Sequence, residues 1–173
     1  MLFRSVGARK RLIRILMAHG IDIRTDTNDS DGEILGREFS VLIMAGGVRP
    51  VDWLSGSGLA TDEAGYIAVN RHLQSISHSA VFAAGDAAAM IETPRAKSGV
   101  MAVRQGPVLA QNLQRMAHGL SLNPFLPQRE WLNLISAGDQ YAVASRGRWS
   151  AEGRWVWRWK DWIDRKFMKR FEF

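Results

Sequence analysis

Two short apolar runs, each broken off by glycine, constrain the fold of this chain more than any other feature. FSVLIM at positions 39–44 runs into Ala45, Gly46 and Gly47, and VFAA at positions 81–84 runs into Gly85 and Asp86. Continuous apolar stretches of this length suit strands buried on both faces of a parallel sheet. Glycine at the end of such a strand lets the backbone pass close to something held at the carboxyl edge of the sheet. A plain loop after the first run and a plain turn after the second are the local alternatives. Behind the second run, residues 98–116 place Val100, Val103, Val108, Leu109, Leu113 and Met116 on one helical face, with Gly106 and Pro107 as a bend. The expected class is therefore α/β, assembled from strand, turn and helix in succession.

The remaining segments read in the same way. Residues 8–19 carry Leu12, Ile13, Leu16 and Met17 at helical spacing and stop at Gly20. Residues 21–25 alternate as a strand, TNDSDGE supplies turn residues, and a TDEAG turn leads into a strand over 66–69. Two prolines mark residues 123–128 as a linker, after which WLNLIS, AGDQ and YAVAS predict a hairpin. Residues 154–159 are expected to be a strand carrying Trp155, Trp157 and Trp159 on one face. The last segment predicts a helix with Trp162, Ile163, Phe167 and Phe171 in one stripe opposite Lys166, Lys169 and Arg170.

Composition narrows the function. With 46% apolar and 23% charged residues in 173, the chain can bury a core. No stretch approaches the roughly 18 apolar residues that a membrane span requires. The N-terminus is basic and amphipathic and has no secretory signature, so a cytoplasmic location is expected. There is no cysteine, and His19, His72, His78 and His118 are widely spaced, so no metal site is expected and redox chemistry would need an organic cofactor. The net charge of +6 points to an acidic partner: nucleic acid, anionic lipid or a phosphate-bearing cofactor. That charge concentrates in the N-terminal cluster Arg4, Arg9, Lys10, Arg11 and Arg14 and in residues 153–173.

The ordered set LIMAGGVRP, GLATDEAGYIAVN, LQSISHSAVFAAGDAA and KSGVMAVRQGPVLAQNL, spanning residues 42–113, resembles the carboxyl-terminal half of FAD-dependent pyridine nucleotide oxidoreductases. PQREWLNLISAGDQYAVAS and GRWVWRWKDWIDRKFM extend the resemblance to the type II NADH dehydrogenase-like branch, including the flavoprotein related to, and sometimes fused with, selenide, water dikinase. The fold so implied is a partial FAD/NAD(P)-binding Rossmann-like domain of three layers followed by a small α+β C-terminal module. Residues 1–45 would be the tail of the NAD(P)H-binding domain, 46–128 the C-terminal half of the FAD domain and 129–173 a hairpin and helix module. FAD would be the cofactor and NAD(P)H the co-substrate. Asp86 matches the carboxylate that binds the ribityl chain, with Gly85 giving the close approach and Gly46 and Gly47 lying at the same sheet edge. Residues 97–106 match the helix start that faces the isoalloxazine pyrimidine ring, which draws Lys97, Arg104 and Gln105 into the site. Lys97 would add a full positive charge there, and both it and Arg104 have a solvated surface charge as the plain alternative. The flavin does the chemistry, so no side chain is expected to be a catalytic acid or base.

Two departures accompany the resemblance. Val100 and Arg104 stand where type II dehydrogenases carry two glutamines near the quinone, with the neighbouring Gln105 retained, so the acceptor is left open, quinone included. No GxGxxG occurs, so the pyrophosphate cradle would come from an N-terminal half of the same enzyme, without which this chain is expected to bind FAD weakly and to be inactive. The basic, aromatic segment 154–173 permits packing within the enzyme or a homodimer, peripheral contact with the inner face of a membrane, or, least favoured, nucleic acid. The competing class is a non-enzymatic basic-aromatic module for anionic membranes or RNA, recognisable by a steep salt dependence.

Overall fold

A computed structural model describes residues 5–24, 40–43 and 45–171. The chain divides into two compact units, Met1–Ser40 together with Gln128–Phe173, and Val41–Pro127. Helices and strands are mixed in both.

In the unit Val41–Pro127, β1 (Ile67–Val69) pairs in parallel with β2 (Ala88–Met90), Ile67 opposite Ala88 and Val69 opposite Met90. Antiparallel bridges Val69 to Ser75 and Gln74 to Phe82 fold the intervening loop back on β1. Against this framework packs α2 (Gly99–Ala117), which starts where the Ser98 hydroxyl accepts the Met101 N–H. The core is formed by Leu54, Ile67, Val69, Leu73, Ala83, Ala88, Met90, Met101 and Phe125.

The buried face of α2 differs from the apolar one that periodicity selects. Met101, Gln105 and Asn112 are buried and Val108 and Leu109 pack on the core, whereas Val100, Val103, Leu113 and Met116 are exposed. Asn112 is buried because it satisfies loop backbone: its Nδ2 donates to the carbonyls of His72 (2.8 Å) and Asn123 (2.9 Å), and its Oδ1 accepts the Asn123 N–H. The helix runs through Pro107 without interruption.

Three expected strands do not form as read. Residues 21–24 are irregular, and Thr25 and the TNDSDGE turn lie outside the described residues. Ser40 to Ile43 are irregular too, with Val41 75% and Ile43 84% exposed; Phe39 and Met44 lie outside the described residues. A parallel strand exists only through ladder partners on its edges, and among the described residues none lies beside this run. Residues 81–84 make a single bridge, and the strand comes after Asp86 as β2 rather than before it.

In the other unit, α1 (Val6–Ala18) and α3 (Arg154–Met168) sandwich an antiparallel sheet of β3 (Asn133–Ser136), β4 (Ala142–Arg146) and β5 (Trp149–Gly153), in the order β3-β4-β5. The hairpin over 131–145 forms as expected, with Ser136 opposite Ala142. Side chains on β4 alternate between the helices: Val143 meets Ala8 and Ile15 of α1, while Ala142 and Ala144 meet Val156 of α3. Glu152, paired with Val143 across β4 and β5, shares its face and accepts from Arg11 (2.9 Å) and Arg14 (2.5 Å) of α1. Two of the N-terminal cations are thus held within the unit; Arg4 lies outside the described residues.

The tryptophan segment is helical rather than extended. Trp155 and Trp159 stack one turn apart, with ring centroids 6.4 Å apart, and Trp157 and Trp159 both pack on the cluster of Ala142, Ala144 and Val156. Gly153 makes this possible: at φ 137 it ends β5 and caps α3, a conformation that L side chains rarely adopt. Lys166 lies over the Trp162 ring at 5.0 Å, so these two share a face of α3 instead of opposing each other. Among the described residues no helix is long and apolar enough to cross a membrane.

A Cβ at Gly153 would stand 3.1 Å from Trp155 Cδ1. Gly153→Ala is expected to lower the unfolding free energy by about 1–3 kcal/mol, read as an earlier midpoint in urea at unchanged slope.

Candidate functional site

The unit Val41–Pro127 gathers its polar chemistry where β1, the Gly85 turn and the start of α2 meet. Gly85–Ala87 form one turn of 3-10 helix immediately before β2. Gly85 has φ 65, and a Cβ there would stand 3.2 Å from the Ala102 Cβ of α2, so glycine is required for both conformation and approach. Its N–H donates to Gln105 Oε1 at 2.6 Å. Asp86 is exposed and, among the described residues, its carboxylate makes no hydrogen bond or ion pair.

Lys97 precedes the N-cap of α2 and turns back under β2. Its ammonium donates to the Ala88 carbonyl and lies 3.9 Å from the centroid of the Tyr66 ring. Tyr66 is itself fixed, because its hydroxyl donates to the Val48 carbonyl at 2.6 Å. Asp62 closes the TDEAG turn by accepting the N–H groups of Ala64 (3.1 Å) and Tyr66 (2.9 Å) through Oδ1. Burial is the main cause that pulls the Lys97 pKa below its ordinary value of 10.5, and the carboxylates of Asp62 and Asp86 oppose it. A groove beside this lysine is lined by Asp62, Glu63, Tyr66, Ile91, Pro94 and Arg95, among others. Among the described residues no group of three or more metal-ligating side chains occurs.

Of the residues singled out by sequence, Gly85, Asp86, Lys97 and Gln105 come together. Gly46 and Gly47 are exposed in irregular backbone, with open space where a side chain would project. Arg104 is exposed beside the buried Gln105, with no partner among the described residues. Gln105 points inward to the Gly85 amide. Sequence reasoning missed Tyr66, Asp62 and Arg95. The Asp-x-x-Gly-Tyr spacing signals the turn at Asp62, but no local pattern pairs Tyr66 with a lysine 31 positions later.

A lysine whose pKa is lowered on folding binds its proton more weakly in the native chain than in the unfolded one. Its charging therefore costs stability below the folded pKa, and this cost is relieved as pH rises through the window up to about 10.5. Unfolding free energies of wild type minus Lys97→Met should accordingly rise with pH in that window; a flat difference would contradict the burial of the ammonium.

Comparison with curated proteins finds no match. The family model for pyridine nucleotide-disulphide oxidoreductases matches residues 7–117, more than half of the chain, including all but the first residue of α1, the Gly85 turn and all of α2. This chain belongs to the pyridine nucleotide-disulphide oxidoreductase family, and so to the FAD- and NAD(P)-dependent oxidoreductases.

Proposed function

We propose that this chain supplies the ribityl- and isoalloxazine-facing part of an FAD site in an enzyme of the type II NADH dehydrogenase-like branch, the one that includes the flavoprotein related to selenide, water dikinase. The observation that carries this reading is the convergence of a carboxylate without a partner among the described residues, Asp86, and a half-buried cation, Lys97, at the positive end of the 19-residue helix α2. Held there, FAD would supply hydride transfer from NAD(P)H and onward electron transfer to an acceptor, quinone being one candidate.

The residues present fit one portion of that cofactor. Asp86 is exposed, and with no partner among the described residues its carboxylate can accept hydrogen bonds from the hydroxyls of a polyol chain. The bond to Ala88 and the Tyr66 ring fix the Lys97 stem, so its charge stays at the α2 N-terminus, where it favours negative charge on a bound ring. The pyrophosphate cradle, for which this sequence has no GxGxxG, belongs to an N-terminal half that also supplies neighbours for the exposed run Val41 to Ile43. On this reading the NAD(P)H domain precedes residue 46, and the isolated chain is inactive.

A second reading concerns α3. Trp155 and Trp162 are exposed on the face that also carries Arg158, Lys166 and Lys169, and this alternation of tryptophan and cation suits the headgroup region of an anionic membrane. On this reading the enzyme would sit peripherally on the cytoplasmic side of a membrane, and the same face would serve a homodimer if no lipid binds.

Asp86→Ala in the full-length protein is expected to weaken FAD binding by about tenfold or more, equivalent to about 1.4 kcal/mol, measured by titration of flavin absorbance. Unchanged retention would remove the ribityl role. For α3, cosedimentation with phosphatidylglycerol vesicles should exceed that with phosphatidylcholine and fall on Trp162→Ala; equal binding to both lipids would overturn the membrane reading.

A further inference from the structure

Gln105 sits on the inner face of α2 with 4% of its surface exposed. Its oxygen accepts the Gly85 N–H at 2.6 Å, and its amide donates to Met90 Sδ at 3.6 Å. A thioether is a weak acceptor. The Gly85 bond is therefore the interaction that offsets the desolvation of this carboxamide, and without it both Gly85 N–H and Gln105 Oε1 would be left unsatisfied.

The same turn is held from a second side. Ala102, three residues before Gln105 on α2, stands 3.2 Å from where a Cβ on Gly85 would be. Gly85 thus lies so close to α2 that a side chain there would crowd Ala102, and it makes a short hydrogen bond to α2 through Gln105. Asp86 is the next residue, and nothing among the described residues bonds its carboxylate directly. Its direction is set by the turn that carries it.

We infer that Gln105 is the positioning residue for Asp86: by clamping the Gly85 amide to α2 it fixes where the Asp86 carboxylate points relative to Lys97 and the α2 N-terminus. This rests on the flavin reading of Asp86 for its functional meaning, while the clamp itself does not. It also gives Gln105 a role other than contact with cofactor or acceptor, since it acts from beneath the turn and through another residue.

The test begins with the wild-type chain. NMR should show a scalar coupling across the Gly85 N–H···Oε1 Gln105 bond and an amide at Gly85 that exchanges roughly tenfold or more slowly than in Gln105→Met, a substitution of similar length without the acceptor. No coupling together with an unprotected Gly85 amide overturns the clamp, and this arm stands even if Gln105→Met fails to fold. Positioning is then read by titrating the Lys97 side chain in wild type, Asp86→Asn, Gln105→Met and the double variant. Asp86→Asn should move the Lys97 titration to lower pH in the wild-type background, and by less than about half as much beside Gln105→Met. An equal shift in both backgrounds overturns the positioning role. Gln105→Glu, which keeps an acceptor oxygen, should restore the larger shift; failure to do so counts against the clamp. If these results hold while Asp86→Asn leaves FAD retention in the full-length protein unchanged, the flavin reading of Asp86 fails and the positioning role stands.

Discussion

Two buried carboxamides on α2 organise the unit Val41–Pro127. Gln105 takes the Gly85 amide, and Asn112 takes groups from His72 and from Asn123. Each loop so held would otherwise leave backbone donors or acceptors inside the structure without partners, at a cost of about 1–3 kcal/mol per group. β1 and β2 are only three residues each, too short to order the surrounding loops through ladder bonds alone. The helix therefore does for the loops what a wider sheet would otherwise do, and it places the Gly85 turn and Lys97 beside one another as a consequence.

The C-terminal sheet works by a different constraint. β4 is buried on both faces, which an antiparallel sheet seldom requires. Alanine at 142 and 144 lets α3 lie close, and valine at 143 fills the opposite face against α1. Charge follows the same logic: Glu152 stands on the α1 face and draws in Arg11 and Arg14, so part of the N-terminal basic cluster serves internal pairing rather than an external partner. The cations of α3 stay outward, and beside its i, i+4 pairs Lys160 with Asp164 and Arg165 with Asp161, Arg158, Lys166 and Lys169 have no ion-pair partner among the described residues. Surface pairs of this kind contribute little to stability; their effect is on where the remaining positive charge lies.

Legibility in the sequence followed the range of the interactions involved. α1 with its Gly20 stop, α2 with its Ser98 start and the hairpin over 131–145 are local patterns, and the structure contains each of them. The apolar runs at 39–44 and 81–84 carry strand-like composition, but a parallel strand is a property of a pair and composition names no partner. Residues 154–159 failed for a related reason. Alternating tryptophans fit a period of two over six residues, while Gly153 at φ 137 and the stacking of Trp155 on Trp159 belong to a period of 3.6. Periodicity likewise misassigned the inner face of α2, because it scores Gln105 and Asn112 as surface residues when their burial is decided by backbone groups far away in sequence.

The site shows the same division. Gly85 and Asp86 were visible because the steric demand on Gly85 and the charge on Asp86 are written in adjacent letters. What makes them a site is not adjacent: Lys97 needs the Tyr66 ring and the Ala88 carbonyl, Tyr66 needs the Val48 carbonyl, and Gly85 needs Gln105. Each of these contacts links a polar group to backbone or ring from another element. Burial strengthens such bonds and at the same time makes their loss expensive. The consequence is a carboxylate and a cation that stay near one another without forming a direct bond. Lys97 is held by the Ala88 carbonyl and the Tyr66 ring, and among the described residues the Asp86 carboxylate bonds neither it nor any other group.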